Sequence, residues 1–376
     1  EGYDVVTFVA SYISYFKLFI DFGFTLSATK KIAQNKDDEV AKKKILSSVI
    51  ASKIILGIVG FIVLVLLTLF IPKLASVKVY AYLAYVATFA TIFLPDFLFM
   101  GIEQMGGVTL RYVITKSIFT ALVFFVIRDA GDLYFVPLLT LLGEIVAAFF
   151  VWYYIVHKLH LRLVGVSFKD ITSELKSSSS YFFSRIATTL SGNTNVFILG
   201  LLDFSTAIFG TARSLAYTII GLYGPIADSL YPYMVNNKNF KVLKNVLLIF
   251  MPIILVGCVL IFFLSDWVVG LVFTEEYSYV ATLLKWMIPL IIISFPSYIF
   301  GFPALGALGM TNKANSSAII ASLFHGACLG ILLLLGKVNM FSVIILTTIT
   351  ELLTLSLRVY WYIKGRRKAK NMEATL

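Results

Sequence analysis

Charge is what this sequence has least of. Asp, Glu, Lys and Arg make up 14% of its 376 residues while 59% are hydrophobic, a balance far outside the range of soluble domains. Cysteine is nearly absent as well. Cys258 and Cys328 both lie inside apolar stretches, so neither a disulfide framework nor a metal site is suggested. No GxxxxGK[ST] phosphate loop occurs, which leaves ATP hydrolysis without machinery. The chain opens on Glu1 rather than methionine, and no basic start, short apolar core and small-residue cleavage site precede its first apolar stretch.

What the sequence does have is long apolar runs. Stretches bounded by charge or turn residues lie near 5–28, 45–71, 79–100, 113–127, 133–157, 180–202, 205–230, 243–265, 280–300, 315–335 and 339–363, and most reach the ~20 residues that a bilayer requires. The expectation is an all-α polytopic membrane protein without a substantial soluble domain. The net charge of +11 suggests nucleic acid only until the basic residues are placed. Twenty of them fall in one set of alternate loops, around 30–44, 111, 158–176, 238–244, 313 and the tail 364–370, against Lys73, Lys78, Arg128 and Lys337 in the other set. That bias marks the first set as cytoplasmic. It puts the C-terminus in the cytoplasm and runs the first visible helix inward. A chain with both ends cytoplasmic then needs one more helix ahead of Glu1, twelve in all.

Repetition organises the rest. Asp21 leads through a Lys-rich loop to an apolar run, and so does Asp228. Pro95 in FLPDF matches Pro296 in SFPSY, and Glu144 in TLLGE matches Glu351 in TTITE. These pairs lie 201 to 207 residues apart. The expected architecture is two six-helix bundles related by a pseudo-two-fold axis along the membrane normal: an N-terminal lobe at 1–157, a cytoplasmic linker at 158–179 and a C-terminal lobe at 180–376.

The stretch SYFFSRIATTLSGNTNVFILG, residues 180–200, is long enough to span yet polar in its middle. An arginine facing lipid at mid-membrane costs at least about 2.5–3.5 kcal/mol, so this helix is expected to face protein or water. The same depth argument turns Lys17, Lys53, Arg213 and Arg358 inward with Arg185, while Lys116 and Lys285 lie near helix ends and can snorkel. Two roles stand open for the deep cations. They line a substrate path, or they pair with the buried acids Asp21, Asp96, Glu144, Asp228 and Glu351. Lys17 and Asp21, four residues apart on one face, can satisfy each other. Glu351 and Arg358 are two turns apart, too far in rise to pair directly. The acids also offer sites for a coupling proton or sodium. Asn193 and Asn195 bind hydroxyl-rich substrate or bond a neighbouring helix. His325, alone in SLFHGACLG, reads first as a packing residue and second as a proton relay.

A cationic lumen in a two-half bundle suits an anionic amphiphile moving between leaflets, with cations on a phosphate or pyrophosphate. Three stretches add a resemblance: EGYDVVTFVASYISYFKLFIDFGFTLSATKKIAQNKD (1–37), FLPDFLFMGIEQM (93–105) and SYFFSRIATTLSGNTNVFILG (180–200). They resemble the second-, fourth- and seventh-helix regions of the O-antigen and capsule repeat-unit flippases, the Wzx-type polysaccharide transporters. The resemblance implies a twelve-helix alternating-access carrier in the bacterial inner membrane. Its cargo would be undecaprenyl-pyrophosphate-linked oligosaccharide, and its partners a polymerase and a chain-length regulator. By position Asp21, Asp96, Glu103, Arg185, Asn193 and Asn195 match the family's polar positions. No cofactor is expected, and an ion gradient, the membrane potential or mass action would drive transport. Two rivals stand beside this reading. A multidrug/cation antiporter of the same superfamily would have a lumen dominated by acids, and a membrane glycan polymerase would place its active site in long outer loops. The longest outer connection here, about 266–279, leaves little room for one.

Overall fold

The computed structural model describes residues 2–104, 117–119, 121–123, 125–127, 129–237 and 239–373, without the side chains of 130–131, 180, 183–185, 187–191, 232, 236 and 369–373. By the density of its internal contacts the chain divides into two compact units, Glu1–Ile186 and Ala187–Leu376. Unit 1 contains α1 (Gly2–Asp21), α2 (Phe24–Gln34), α3 (Glu39–Phe70), α4 (Lys78–Ala90), α5 (Asp96–Gly101) and α6 (Phe135–His157). The boundary between the units falls inside α7 (Phe168–Leu201). Unit 2 continues with α8 (Thr206–Gly221), α9 (Tyr223–Asn237), α10 (Phe240–Val272), α11 (Tyr279–Trp286), α12 (Ile288–Ile299), α13 (Thr311–Leu334) and α14 (Met340–Glu373). Among the described residues no strand occurs.

Eight described segments are long and apolar enough to cross a membrane, and they correspond to eight of the eleven expected stretches. Of the other three, 113–127 lies largely outside the described residues. The 180–202 stretch forms the second half of α7, too polar to pass on hydropathy alone. The 205–230 stretch breaks at Leu222 into α8 and α9.

The exterior is oilier than the interior. Helix α10 reaches a mean hydropathy of 3.1 over an 18-residue window, yet Ile253, Val256, Leu260, Phe263, Trp267 and Leu271, spaced three and four residues apart, are all exposed. In water such a stripe would be an interaction or aggregation surface; in lipid it is the ordinary outer face of a span. Inside, buried Ser11, Ser27, Ser47, Ser52, Ser178, Ser297 and Ser317 let helices approach closely and find partners, as Ser27 and Ser178 do across α2 and α7 at 2.6 Å.

Helix α7 starts earlier than composition suggests. Ser167 and Asp170 form a reciprocal cap, with Ser167 donating from its backbone N–H and hydroxyl to the Asp170 carboxylate and accepting from the Asp170 N–H. This arrangement of a serine and an acid three residues on is a helix-start signal, so the second half of the expected linker is helical. The helix is docked to its own unit by Lys44–Asp170 and Lys31–Glu174 ion pairs, both at 2.8 Å. The bond from Lys44, with those from Ser167, holds the Asp170 carboxyl down at about 2. Further along, Phe182 stacks on Phe22 at 4.3 Å. The α1–α2 turn comes so close that a Cβ on Gly23 would meet Tyr181 Cβ at 2.7 Å, and Gly23 also sits at φ 77°, so approach and backbone both demand glycine.

Two spans are broken, and each break is braced from the last helix of its own unit. In unit 1, α4 gives way to a 3₁₀ turn at Thr91–Phe93, and Pro95 interrupts the ladder before α5. Trp152 Nε1 of α6 donates to the Phe93 carbonyl at 3.0 Å. In unit 2, α12 runs into a π turn, Phe300–Leu305, in which Gly301 is non-helical with ψ −120°. There Arg358 of α14 donates from Nη1 to the Ser297 carbonyl at 2.8 Å and to its hydroxyl at 3.0 Å, and from Nε to Ser317 Oγ at 3.2 Å. Trp152 and Arg358 lie 206 residues apart and Phe93 and Ser297 lie 204 apart, within the spacing of the repeats. A break in a helix leaves carbonyls short of their regular amide partners, and lipid offers none; at Ser297 the Phe300 N–H also reaches the carbonyl, and Arg358 adds to that bond.

If these donors brace the breaks, Arg358→Met should lower thermal stability in detergent by about 2 kcal/mol, the scale of hydrogen bonds from a charged donor. Trp152→Phe should cost about 1 kcal/mol through its single bond. Thermal unfolding of the two variants checks both, and Arg358→Met matching wild type would show that the break supports itself.

Candidate functional site

The polar interior gathers at one place in each unit. In unit 1, Lys53 of α3 reaches Asp21 Oδ1 at the end of α1 at 3.1 Å, and both side chains are nearly buried. Thr25, on the first turn of α2, donates to the same Asp21 oxygen at 2.6 Å. The Lys53 ammonium also stands 5.8 Å from the centre of the Phe97 ring, so α5 closes over it. The break between α1 and α2, forced by Phe22 at φ 44° and Gly23, puts Asp21 where Lys53 can reach it. The acid's lysine partner is thus 32 residues away on another helix. Lys17, expected to share Asp21 from its own helix, is exposed.

In unit 2 the second half of α7 supplies Asn195, nine-tenths and more buried. Its Nδ2 donates to Thr347 Oγ1 at 3.0 Å, and its Oδ1 lies 2.8 Å from His325 Nε2. The other ring nitrogen, Nδ1, lies 2.9 Å from Thr350 Oγ1. Three helices, α7, α13 and α14, are joined through one imidazole with no exposed surface. Asn195 and Thr347 also line a cavity shared with Phe209, Arg213, Tyr217, Met287, Leu290 and Ile344. It has about 10 Å³ of space for the centre of a water-sized sphere, room for about one water.

Arg213 is the cation of that cavity. Its guanidinium lies over the Tyr217 ring at 4.8 Å, and a Cβ on Gly192 would come within 3.0 Å of its Nη2, so glycine on α7 leaves the head group its room. Among the described residues Arg213 makes no hydrogen bond or ion pair. That separates it from the other deep cations with described side chains in closed contacts, since Lys53 is held by Asp21 and Arg358 by Ser297 and Ser317.

The remaining expected residues scatter. The side chain of Arg185 lies outside the described residues, as does Lys116 altogether. Asn193, Asp96, Glu144 and Glu351 are half-buried on α7, α5, α6 and α14. Asp228 is exposed on α9. Glu103 stands at φ 61° in the exposed turn after α5 and pairs with Lys36 at 2.7 Å. That hydrogen bond holds its carboxyl below the usual carboxylate range. Lys285, expected near a helix end, pairs with Asp266. Sequence reading passed over Ser297, Ser317, Trp152 and Thr347. For Thr347 and Thr350 the signal was present in TTITE, three threonines in an apolar helix directly before an acid.

Comparison with known proteins gives a family and a fold. A family model described as polysaccharide biosynthesis protein matches residues 1–238. The "Putative O-antigen transporter" of Escherichia coli (strain K12) is 26% identical over 251 residues, 66% of this chain and 60% of that protein, so the match spans less than two thirds of the relative's length. Among solved structures, an inward-facing multidrug resistance MATE family transporter of the MOP superfamily superposes with a TM-score of 0.74 at 12% identity, over 99% of this chain and 92% of its own. The lipid II flippase MurJ in an inward closed conformation gives 0.69 at 16%, over 96% and 83%. At these identities the structures speak to the fold alone, which is a polytopic α-helical one.

The unit 1 pair makes a testable claim. Lys53→Met removes one charge of a nearly buried pair and should destabilise by about 3 kcal/mol, whereas Lys53→Met with Asp21→Asn should recover most of that loss. A double-mutant cycle on thermal stability measures the coupling, and additive effects would mean that the two charges do not depend on each other.

Proposed function

Starting from the fact that this chain belongs to the polysaccharide biosynthesis protein family, we propose that it carries polyprenyl-pyrophosphate-linked oligosaccharide repeat units between membrane leaflets. The direction is from the cytoplasmic to the outer leaflet of the bacterial cytoplasmic membrane, by alternating access, for O-antigen, capsule or exopolysaccharide synthesis. The C-terminus lies in the cytoplasm, as the basic tail implies, and an ion gradient supplies the drive. The name of one relative supports the cargo class: it is the "Putative O-antigen transporter" of Escherichia coli (strain K12).

The observation that carries the reading is Arg213. A half-buried guanidinium that bonds to no acid and no hydrogen-bond acceptor among the described residues is costly to keep. A diphosphate arriving beside it would supply the missing acceptors in the bidentate geometry that arginine favours. Tyr217 beside the guanidinium offers a face on which a sugar ring can stack. Asn195 and Thr347 provide polar edges in the same cavity. A cation in this position also disfavours the rival cargo, a small organic cation, by like-charge repulsion.

The test is movement of a fluorescent undecaprenyl-pyrophosphate oligosaccharide between leaflets of sealed proteoliposomes under an imposed ion gradient. Arg213→Ala should slow it about 10- to 100-fold, the scale of one or two charge-assisted hydrogen bonds, and Arg213→Lys should recover part. Wild-type rates in Arg213→Ala would overturn the role of the arginine. Gradient-driven efflux of a small organic cation with no lipid movement would overturn the cargo class.

A further inference from the structure

With both threonine hydroxyls of α14 turned to their helix carbonyls, the bonds around His325 call for a hydrogen on each ring nitrogen. Thr350 Oγ1 donates to the Leu346 carbonyl at 2.7 Å, so toward His325 Nδ1 it is an acceptor and the ring must donate there. Thr347 Oγ1 donates to the Val343 carbonyl at 2.8 Å, so it accepts from Asn195 Nδ2. That leaves Asn195 Oδ1, an acceptor, facing His325 Nε2 at 2.8 Å. Both ring nitrogens then face acceptors. Only the imidazolium, with a hydrogen on each nitrogen, satisfies this arrangement.

A neutral ring has two ways to fit the same positions. In one, Asn195 turns its amide over, Nδ2 donates to Nε2, and Thr347 swings its hydrogen from the Val343 carbonyl to Asn195 Oδ1. In the other, Nε2 keeps its hydrogen toward Asn195, and Thr350 swings its hydrogen from the Leu346 carbonyl to Nδ1. Both neutral arrangements differ from the protonated one by one proton and by the direction of one threonine hydroxyl on α14, and the first differs also by the direction of the Asn195 amide.

We infer that His325, Asn195, Thr347 and Thr350 form a proton-binding site, in which uptake of a proton by the imidazole is registered as a change in the direction of the amide or of a threonine hydroxyl around it, with two of the four residues at the wall of the Arg213 cavity. Asn195 and Thr347 both line that cavity. Histidine is the side chain whose ordinary titration range suits such a role, and an ionisable group inside a span is costly to retain without one. Helix α13 packs on α14 and on the π turn Phe300–Leu305. Among the described residues the charged or titratable side chains on the surrounding elements are Glu351 and Arg358 of α14, Arg213 and Tyr217 of α8 across the cavity, and Lys313 and Cys328 of α13 itself. None of them bonds to the ring. No fixed counter-charge therefore locks it in one state. If the chain is the carrier proposed above, this is where a proton gradient acts on it, but the site's existence does not depend on what is carried.

The experiment reads the ring directly. His157 and His160 are the other two histidines and both are exposed, so the variant His157→Gln, His160→Asn leaves a single ring to observe in ¹⁵N-histidine-labelled protein in lipid nanodiscs. The expected result is two protonated ring nitrogens at the acid end of a pH 4–9 titration and one at the alkaline end. Thr347→Val and Thr350→Val, which each remove an acceptor that the protonated state needs, should each lower proton affinity by at least about threefold. A ring that keeps one protonation state throughout would overturn the inference. So would a titration that neither threonine variant moves. Leaflet transfer by the same variant separates this from the cargo question: a titrating His325 in a protein that moves no lipid-linked glycan leaves the site standing and removes the carrier.

Discussion

Lipid cannot accept or donate a hydrogen bond, and that constraint decides where every polar group in this protein goes. Exposed leucines and phenylalanines on α10 need no partner, whereas each serine, threonine and carbonyl inside must find one within the protein. The two broken spans show the constraint at work. Pro95 in one unit and Gly301 in the other interrupt a backbone ladder, and in both cases a side-chain N–H from the last helix of the unit supplies a bond to a carbonyl near the break. The two donors are chemically unrelated, an indole and a guanidinium, and what they share is position in the repeat. Solvent, more than residue type, has set the solution.

The same constraint sorts the deep cations. Arg358 is engaged at a helix break and Lys53 is engaged by Asp21, so both are accounted for by structure. Arg213 has an aromatic ring and a glycine-lined space but no acceptor among the described residues, and the next polar groups along its cavity are Asn195 and Thr347. These two lead in turn to His325. A cation able to take an anionic ligand thus shares a cavity with the amide and hydroxyl that connect to a buried imidazole.

Much of this was legible in the sequence. Long apolar runs gave the spans, Asn195 in the polar stretch 180–200 is buried as expected, and Pro95 and Pro296 marked the two spans that break. The start of α7 at Phe168 was also readable, from Ser167 and Asp170. What sequence could not give was partnership between helices. Asp21 has Lys17 four residues away and Lys53 thirty-two away, and local spacing favours the first; the turn at Phe22 and Gly23 presents the acid to α3 instead. Arg358 looked like a lumen cation because nothing in a sequence shows which backbone carbonyl a break will free. His325 and Asn195 were noticed separately, and only packing brings the ring between the amide and Thr350.

The central claim is that the Arg213 side of unit 2 meets water and substrate while the α10 stripe meets lipid. Single cysteines at Arg213 and at Val256, in a protein whose Cys258 and Cys328 have been replaced, test it with a membrane-impermeant methanethiosulfonate reagent in intact membranes. The account predicts that the cysteine at position 213 reacts, and is protected by polyprenyl-pyrophosphate oligosaccharide, while the cysteine at 256 stays unmodified. Reaction at 256 with none at 213 would contradict it.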